Sequence, residues 1–334
     1  MPQFRAGKLS NEDLQSLIFP HLGLKREDVL LHASLGEDTA VIDLKGELCV
    51  LSSDPITGAS RDMGWLSVHI AVNDIAATGA EPVGLLLTIL MPPDTSKSEL
   101  EEIMEDASRA ASFLGIEIVG GHTEFTPYLP QPVLVATAIG KAPRNGFLST
   151  KGALPGDALY VSKALALEGT AILAREFQEE LIPLLGEEIV LKGASFLKEI
   201  SVMKEGMVSR EAGVHALHDI TEGGIMAGVW EMIQASGVGA VLEVDSLPIR
   251  PETSLICQAL GADPFYLLSS GAMLIAAPAE SPLKEAFKRE GLELTLIGKI
   301  IPEKKLFLET GGSLKEFVPE IHEELWRILE RRKR

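Results

Sequence analysis

The sequence predicts an α+β protein of two domains: an N-terminal dimerising mixed-sheet domain and a C-terminal α/β sandwich domain. Three observations carry this. The chain has 334 residues, about twice the length of an ordinary domain. Stretches with strand alternation and stretches with helical spacing are interleaved in both halves. Leu154-Pro155-Gly156-Asp157 is a turn of the kind that opens a new unit. The division expected is a lead-in helix in 1–30, a first domain over 31–150 and a second over 151–334.

Ser10-Asn11-Glu12-Asp13 can cap a short helix through Ile18, stopped near Pro20. Thr39 to Leu44 and Leu48 to Ser53 read as a hairpin around Lys45-Gly46. A helix then starts near Asp62 and stops at Gly79, with Pro82 just beyond. Trp65, Val68, Val72, Ile75 and Ala76 share one face, and Leu66, Ile70 and Ala77 line the other, so this helix is buried nearly all round. Asn73 and Asp74 nevertheless sit in its middle. A carboxylate there costs roughly 2–7 kcal/mol unless it finds donors or a cation. It reaches a cap or an Arg, or it is a metal ligand, and the second reading is placed first.

A strand follows from Val83 to Leu90, then Pro92-Pro93, then a helix capped by Ser98 with Leu100, Ile103, Met104, Ala107, Ala111 and Leu114 on one face. Ile116 to Val119 is a strand, Gly120-Gly121-His122-Thr123-Glu124 a turn after it, and Pro132 to Ile139 another strand. In the second half Ala158 to Ser162 is a strand and Glu168 to Ala212 largely helical. The strand from Val214 to Ile220 delivers His218-Asp219-Ile220-Thr221-Glu222-Gly223-Gly224 to a helix beginning near Ile225. Strands at Ala240–Val244, Ala272–Ala276 and Leu292–Gly298 precede a last helix burying Leu314, Phe317, Val318, Ile321, Leu325 and Ile328.

A net charge of −18 and a pI near 4.9 argue against nucleic acid as a main partner. The terminal Arg331-Arg332-Lys333-Arg334 complements the negative end of the preceding helix. Cys49 and Cys257 are far apart in apolar contexts and read as inert core residues, without disulfide or metal-thiolate spacing. Met1 to Leu14 carries no cleavage signal, and the longest apolar run, Val83 to Met91, is too short to span a bilayer. A cytoplasmic location with no membrane partner is expected.

Four acids, Asp38, Asp54, Asp74 and Asp219, recur at strand or helix ends together with the pairs Gly120-Gly121 and Gly223-Gly224. Carboxylates suit Mg²⁺, which wants hard oxygen ligands. Glycine pairs let backbone N–H groups approach phosphate, and a helix start adds its positive end. Together they describe a metal–nucleotide site. No Gly-Lys-Ser/Thr phosphate loop and no Gly-x-Gly-x-x-Gly run after the first strand is present. Zinc lacks further ligands. His122 is placed beside phosphates, whereas His69 and His215 read as core or satisfied histidines. Ser34, Ser52 and Ser53 have no nucleophile-elbow context.

Gly36-Glu37-Asp38-Thr39-Ala40-Val41, Ser53-Asp54, the Asn73–Pro82 stretch, Gly120-Gly121-His122-Thr123, Pro155-Gly156-Asp157 and Asp219-Ile220-Thr221-Glu222-Gly223-Gly224 occur in this order. The set resembles the aminoimidazole ribonucleotide synthetase-like superfamily from about Leu31 to Pro302. The superfamily includes that purine enzyme, formylglycinamidine synthase, selenophosphate synthetase, thiamine-monophosphate kinase and a hydrogenase maturation protein that dehydrates a thiocarbamate. The resemblance implies an N-terminal domain that forms a homodimer by joining sheets into a barrel, with ATP and Mg²⁺ in the cleft between the domains. By motif, Asp38, Asp54 and Asp74 are implied as catalytic acids and, with Asp219, as metal ligands. Asn73, Gly120, Gly121, His122, Thr123, Asp219 and Thr221 are implied as nucleotide contacts. The shared chemistry is ATP-dependent phosphorylation, usually of a carbonyl-type oxygen on a small substrate, in which positioning and charge neutralisation do the catalytic work.

The branches differ in detail. No Cys precedes Cys49, unlike selenophosphate synthetase, and Asp54-Pro55-Ile56-Thr57-Gly58 lacks the Gly-Thr-Lys of the purine enzyme. Thiamine-monophosphate kinase has Gly-Gly-Asp where this chain has Gly120-Gly121-His122, and Ser-Asp-Gly where it has Thr221-Glu222-Gly223. Thr221–Gly224 and Asp263-Pro264-Phe265-Tyr266-Leu267 fit the hydrogenase maturation branch best, whose signature is a C-terminal tail ending in Cys. This chain has no Cys after Cys257, so the cyanide-forming reaction is not expected in its usual form. The leading expectation is an ATP-using enzyme of that branch, together with a hydrogenase maturation partner protein. The alternatives are an ATP-binding assembly factor without catalysis and a divergent thiamine-monophosphate kinase.

Overall fold

The computed structural model describes residues 11–13, 15, 27, 29–32, 34–37, 39–57, 61–144 and 146–333. Of the lead-in helix, α1 (Asn11–Asp13) is described, and the remainder of that expectation lies outside the described residues. The first half supplies β1 (Val29–Leu31), β2 (Ala40–Asp43), β3 (Leu48–Ile56), α2 (Met63–Ala77), β4 (Glu81–Met91), α3 (Lys97–Leu114), β5 (Glu117–Phe125) and β6 (Val133–Ala142). The strands form a sheet in the order β1-β2-β3-β6-β4-β5, parallel only between β4 and β5.

The hairpin around Lys45-Gly46 is present: β2 and β3 pair antiparallel, and Lys45 takes a left-handed φ of 64°. Three local expectations are corrected. β3 does not turn at Asp54 but runs on to Ile56, with Asp54 opposite Ala136 of β6. The cap of α3 is Ser96, not Ser98, in a reciprocal capping box with Glu99. Gly120-Gly121 is no turn, because β5 runs straight through it. A Cβ on Gly121 would stand 1.9 Å from the Leu87 carbonyl oxygen, so Gly121 is needed there for close approach of two strands.

The second half contributes β7 (Ala158–Ser162), α4 (Leu167–Glu176), α5 (Gln178–Leu185), α6 (Glu187–Ala194), α7 (Met203–Glu211), β8 (Ala216–Ile220), α8 (Gly224–Ser236), β9 (Gly239–Glu243) and α9 (Pro251–Leu260). After these come β10 (Ala272–Ala277), α10 (Leu283–Arg289), β11 (Leu294–Ile301), β12 (Leu306–Thr310), β13 (Ser313–Phe317) and α11 (Glu324–Leu329). The sheet order is β13-β12-β9-β11-β7-β10-β8. Both faces of β7, β8 and β10 are covered, and these strands are buried almost throughout. Leu159, Val161, Leu274 and Ala276 meet Ile225, Val229 and Met232 of α8 on one side. Tyr160, Met273 and Ile275 meet Leu283 and Phe287 of α10 on the other. The expected last helix is corrected. Residues 313–317 are a strand, Leu314, Val318 and Ile321 are exposed, and of the expected apolar residues only Leu325 and Ile328 are buried, in the short α11. The hairpin turns on Gly311-Gly312, both at positive φ (54° and 77°), which is the signature of a two-residue loop.

One element belongs to both halves. α2 packs on the first sheet through Leu66, Val68, Val72 and Ile75, while its Ala76 joins the apolar cluster under the second sheet. Asn73 Nδ2 donates to the Ile200 carbonyl (2.8 Å) and its Oδ1 accepts from the Val202 N–H (3.0 Å). Gly206 of α7 lies so close that a Cβ there would be 2.1 Å from the Ala76 carbonyl oxygen. The helix therefore sets how the two domains sit against each other. No described helix is long and apolar enough to cross a membrane.

Candidate functional site

Where α2 and β3 face the second domain there is a cavity of about 90 Å³. β3 brings Asp54 to it and α2 brings Asp74. The Ser52 hydroxyl stands between them, hydrogen-bonded to Asp74 Oδ2 and 3.3 Å from Asp54 Oδ2. Asp74 is buried while Asp54 is half-buried. Thr221 and Glu222, in the turn from β8 into α8, line the facing wall with Glu168 of α4 and with Ser270 and Glu323.

Glu168 is 4% exposed, and one of its carboxylate oxygens has no hydrogen-bond partner. Burial pushes its pKa up to about 7; Glu222 and Asp219 push the same way, and the Ser270 hydroxyl opposes them. The loop that delivers it is clamped. Ala166 N donates to Ser269 Oγ (2.9 Å) and Gly169 N to the Leu268 carbonyl (3.0 Å). A Cβ on Gly169 would lie 2.5 Å from Leu267 Cγ, so the clamp requires glycine. Lys163 and Ala166 hold left-handed φ values of 52° and 58° in the same loop, a local strain that the clamp sustains.

Glu323 has a different role. Its carboxylate accepts from the backbone N–H groups of Gly223 (2.6 Å), Leu325 (2.8 Å) and Leu268 (3.1 Å), tying three segments together behind the cavity. Burial pushes it up to about 7 against those three bonds. Sequence reasoning named neither glutamate. Glu168 gave a signal, as an acid inside the apolar run Ala164 to Leu173.

The other expected site residues are distributed as follows. Asp38 lies outside the described residues. Asp219 is buried in β8, close enough to Glu168 to act on its carboxyl. Asn73 spends both ends of its amide on the backbone of the second domain. Gly120, Gly121, His122 and Thr123 are exposed on the edge strand β5, outside the cavity lining. Asp54 is opposite Ala136, Ala136 opposite Leu87, and Leu87 opposite Gly121, which at ~4.8 Å per strand places Gly121 about 14 Å from Asp54. His122 Nε2 is 3.4 Å from Glu124.

Three further histidines, at 69, 215 and 218, lie away from the cavity lining. His215 pairs with Asp157 (2.9 Å), and His218 lies between Glu231 (2.9 Å) and Thr150 (3.1 Å). His69 is buried against Trp65 and Phe113, with both ring nitrogens unpartnered. Burial and then Lys163 push its pKa down to about 3. Cys257 is buried, and burial pushes its thiol up to about 12; Cys49 is only half-buried, so it is not fully in the core.

No group of three or more His, Cys, Asp or Glu able to hold a metal occurs among the described residues. The Asp54–Asp74 pair does fit Mg²⁺, which usually takes one or two protein carboxylates and completes its shell with water and phosphate oxygens.

A mixed-sheet domain and an α/β domain, joined through a buried helix that carries an acid into their common cavity, define an AIR synthase-like protein. The family model for the AIR synthase related protein N-terminal domain matches residues 36–142, and that for the C-terminal domain matches 155–311. Carbamoyl dehydratase HypE of Escherichia coli K12 is 30% identical over 288 residues, covering 80% of this chain and 82% of its own length. The protein of the same name from Cupriavidus necator is 28% identical over 286 residues, covering 82% and 79%. The crystal structure of E. coli HypE, a hydrogenase maturation protein, has a TM-score of 0.73 at 25% identity, over 87% of this chain and 93% of that one. The same fold is found in HypE in complex with ATP (TM-score 0.65, 23% identity, 97% of both chains) and in a HypE–HypF complex (0.68, 22%, 84% and 93%). The chain belongs to the AIR synthase related family and, within it, to the hydrogenase maturation branch.

Proposed function

We propose that this protein is a Mg²⁺-dependent, ATP-using enzyme of the hydrogenase maturation type that phosphorylates an oxygen of a small carbonyl-type substrate. The observation that carries this reading is the convergence of Asp54 and Asp74 on Ser52 at the wall of the interdomain cavity. A fold neighbour of the same branch is named as a complex with ATP. Asp54 and Asp74 would hold the ion, whose contribution is to neutralise charge on the transferring phosphoryl group. The chain's own part is to fix the two carboxylates through Ser52, to shield Asp74 from water, and to seat the acceptor against the Glu168 wall. Asp38, Asp219, Thr221 and the Gly120–Thr123 segment belong to the same proposal. We read 31–150 as the domain that carries the nucleotide and 151–334 as the domain that closes the acceptor side.

The decisive experiment is product analysis of ATP incubated with Mg²⁺ and candidate acceptors. ADP formation that stops with chelator, and falls at least about 100-fold in Asp54→Asn and Asp74→Asn, is the expected result. Unchanged turnover in both variants would place the chemistry elsewhere.

The same reading includes a homodimer through the outer face of the first sheet, where Val83, Leu86, Val119 and Phe125 are exposed. Light scattering should give twice the chain mass, and Leu86→Lys should give the single-chain mass. A wild-type monomer removes the dimer from the proposal. A protein partner of HypF type is proposed on the HypE–HypF structure alone.

A further inference from the structure

The chain from Leu197 to Gly206 is the seat on which α2 rests. Trp65 Nε1 donates to the Leu197 carbonyl (2.8 Å), Asn73 takes the Ile200 carbonyl and the Val202 N–H, and Gly206 lies against Ala76. Trp65, Asn73 and Ala76 fall within about 80° of one another round the helix, so a single face of α2 meets the seat. A second side chain holds the same segment. Lys163 Nζ donates to the Glu199 carbonyl (2.9 Å) and to the Ser201 carbonyl, and lies 3.1 Å from Glu205 Oε1. Three successive carbonyls, those of Glu199, Ile200 and Ser201, are thus taken by side chains from two elements. Lys163 also opens the loop that carries Glu168. The backbone of that loop is fixed to the rest of the second domain, with Lys163 N donating to the Glu293 carbonyl (3.2 Å) and Leu165 N to that of Pro248 (2.9 Å). At Lys163 φ is 52°, a left-handed value that glycine adopts without strain and lysine does not. Backbone strain beneath a side chain with three polar contacts points to a task for that side chain.

We propose that Lys163 is a positioning residue for phosphoryl transfer: it fixes the seat of α2 relative to the Glu168 loop, and so sets the separation between the Asp54–Asp74 ion site and the acceptor wall. The proposal rests on the phosphoryl-transfer reading for the reaction, whereas the brace itself stands on the hydrogen bonds. Lys163 does not line the cavity, so it touches neither ion nor substrate and acts through the backbone it holds. Without its ammonium the Glu199 and Ser201 carbonyls lose a donor, and α2 can shift on the second domain. Transfer between two bound groups is steeply sensitive to such a shift, by about 100-fold for a misplacement of about 1 Å. Binding of the nucleotide on the first domain is not. The signature of Lys163 is therefore a loss in kcat with KM for nucleotide retained.

The test compares the whole wild-type chain with Lys163→Met, which keeps the stem and removes the donors. ADP formation from Mg-ATP, with acetamide as the carbonyl-type probe, gives kcat and KM for nucleotide. Calorimetric titration with a non-hydrolysable ATP analogue gives the binding stoichiometry. Hydrogen exchange followed by mass spectrometry reports on the seat and on α2. The expected result for Lys163→Met is a kcat lowered at least about tenfold, with KM and stoichiometry within about twofold of wild type. Exchange should be faster in residues 72–79 and 199–206 and unchanged in β3, β6, β7 and β10. An unchanged kcat overturns the proposal. A kcat that falls only in step with the stoichiometry also overturns it, as does exchange that is faster throughout, because both describe a fold loosened as a whole. If Lys163→Met does not fold, as judged by circular dichroism, Lys163→Gly, which also relieves the backbone, is read by the same criteria. Failure of the phosphoryl-transfer reading shows separately, as wild type that forms no ADP. The exchange pattern then decides alone, and unchanged exchange in residues 199–206 of the variant overturns the brace.

Discussion

Glu168→Gln separates the cost of a buried charge from the packing of the side chain that carries it. Burial, with Glu222 and Asp219 adding to it, takes this carboxyl from its ordinary 4.5 to about 7. The folded chain thus holds the proton more tightly than the unfolded chain. Between pH 4.5 and 7 the folded state binds more protons, so stability falls as pH rises. The favourable contribution is complete below about 4.5 and lost above about 7. At about 1.4 kcal/mol for each decade of proton affinity, the loss comes to about 3 kcal/mol at pH 8. Glutamine has nearly the same shape and no charge to desolvate. The variant should therefore match wild type within about 1 kcal/mol near pH 4.5 and exceed it by about 3 kcal/mol at pH 8. Urea unfolding followed by tryptophan fluorescence at intervals from pH 4.5 to 8 measures both. Glu323 titrates in the same direction in both proteins, so it cancels in the difference. A difference that does not change with pH, or a variant weaker than wild type at pH 8, would refute the reasoning.

Three further substitutions probe the frame of the site. His69 is held neutral down to about pH 3 by burial and Lys163, whereas the unfolded chain takes its proton near 6.5; stability should thus fall with acidification by up to about 1.4 kcal/mol per pH unit below 6.5. His69→Leu should remove that slope and be at least as stable as wild type at pH 7, as urea midpoints at pH 5 and 7 will show. Asn73→Ala strips partners from the buried Ile200 carbonyl and Val202 N–H, at about 1–3 kcal/mol each; a loss of about 2–5 kcal/mol in chemical denaturation is expected. Gly206→Ala puts a Cβ 2.1 Å from the Ala76 carbonyl oxygen and should cost about 1–3 kcal/mol by forcing α7 off α2, which a lowered thermal midpoint will report.

What could be read from the sequence depended on whether the cause was local. α2 was legible because its apolar faces, its start near Asp62 and its stop at Gly79 all lie within one stretch. The strand Ala158–Ser162 was legible for the same reason. Gly120-Gly121 was misread as a turn because the reason for glycine at 121 is the Leu87 carbonyl of another strand. Residues 313–321 were misread as helix because Leu314, Phe317, Val318 and Ile321 happen to fall at three- and four-residue spacing. Gly311-Gly312 was the better signal and was passed over. Asp74 stood out as an acid inside an apolar helix, and Asp54 as an acid at a strand end. Glu168 meets the same test as Asp74, but, with no motif beside it, it was not named as a site residue. Glu323 could not be found, since its partners Gly223, Leu268 and Leu325 come together only in the folded chain.

The geometry of the cavity follows from two adjacent residues of α2. Asp74 enters the cavity and Asn73, about 100° further round the helix, grips the backbone of the second domain at Ile200 and Val202. The acid of the first domain is therefore fixed relative to Glu168 and Thr221 by the same turn of helix, without relying on a flexible linker. A whole domain is stable by only about 5–15 kcal/mol, so a cost of about 3 kcal/mol at Glu168 above pH 7 is a large fraction of it. Packing does not require that charge, because an amide would fill the same space. A buried acid whose charge costs stability is the kind of perturbed group that gathers at functional sites.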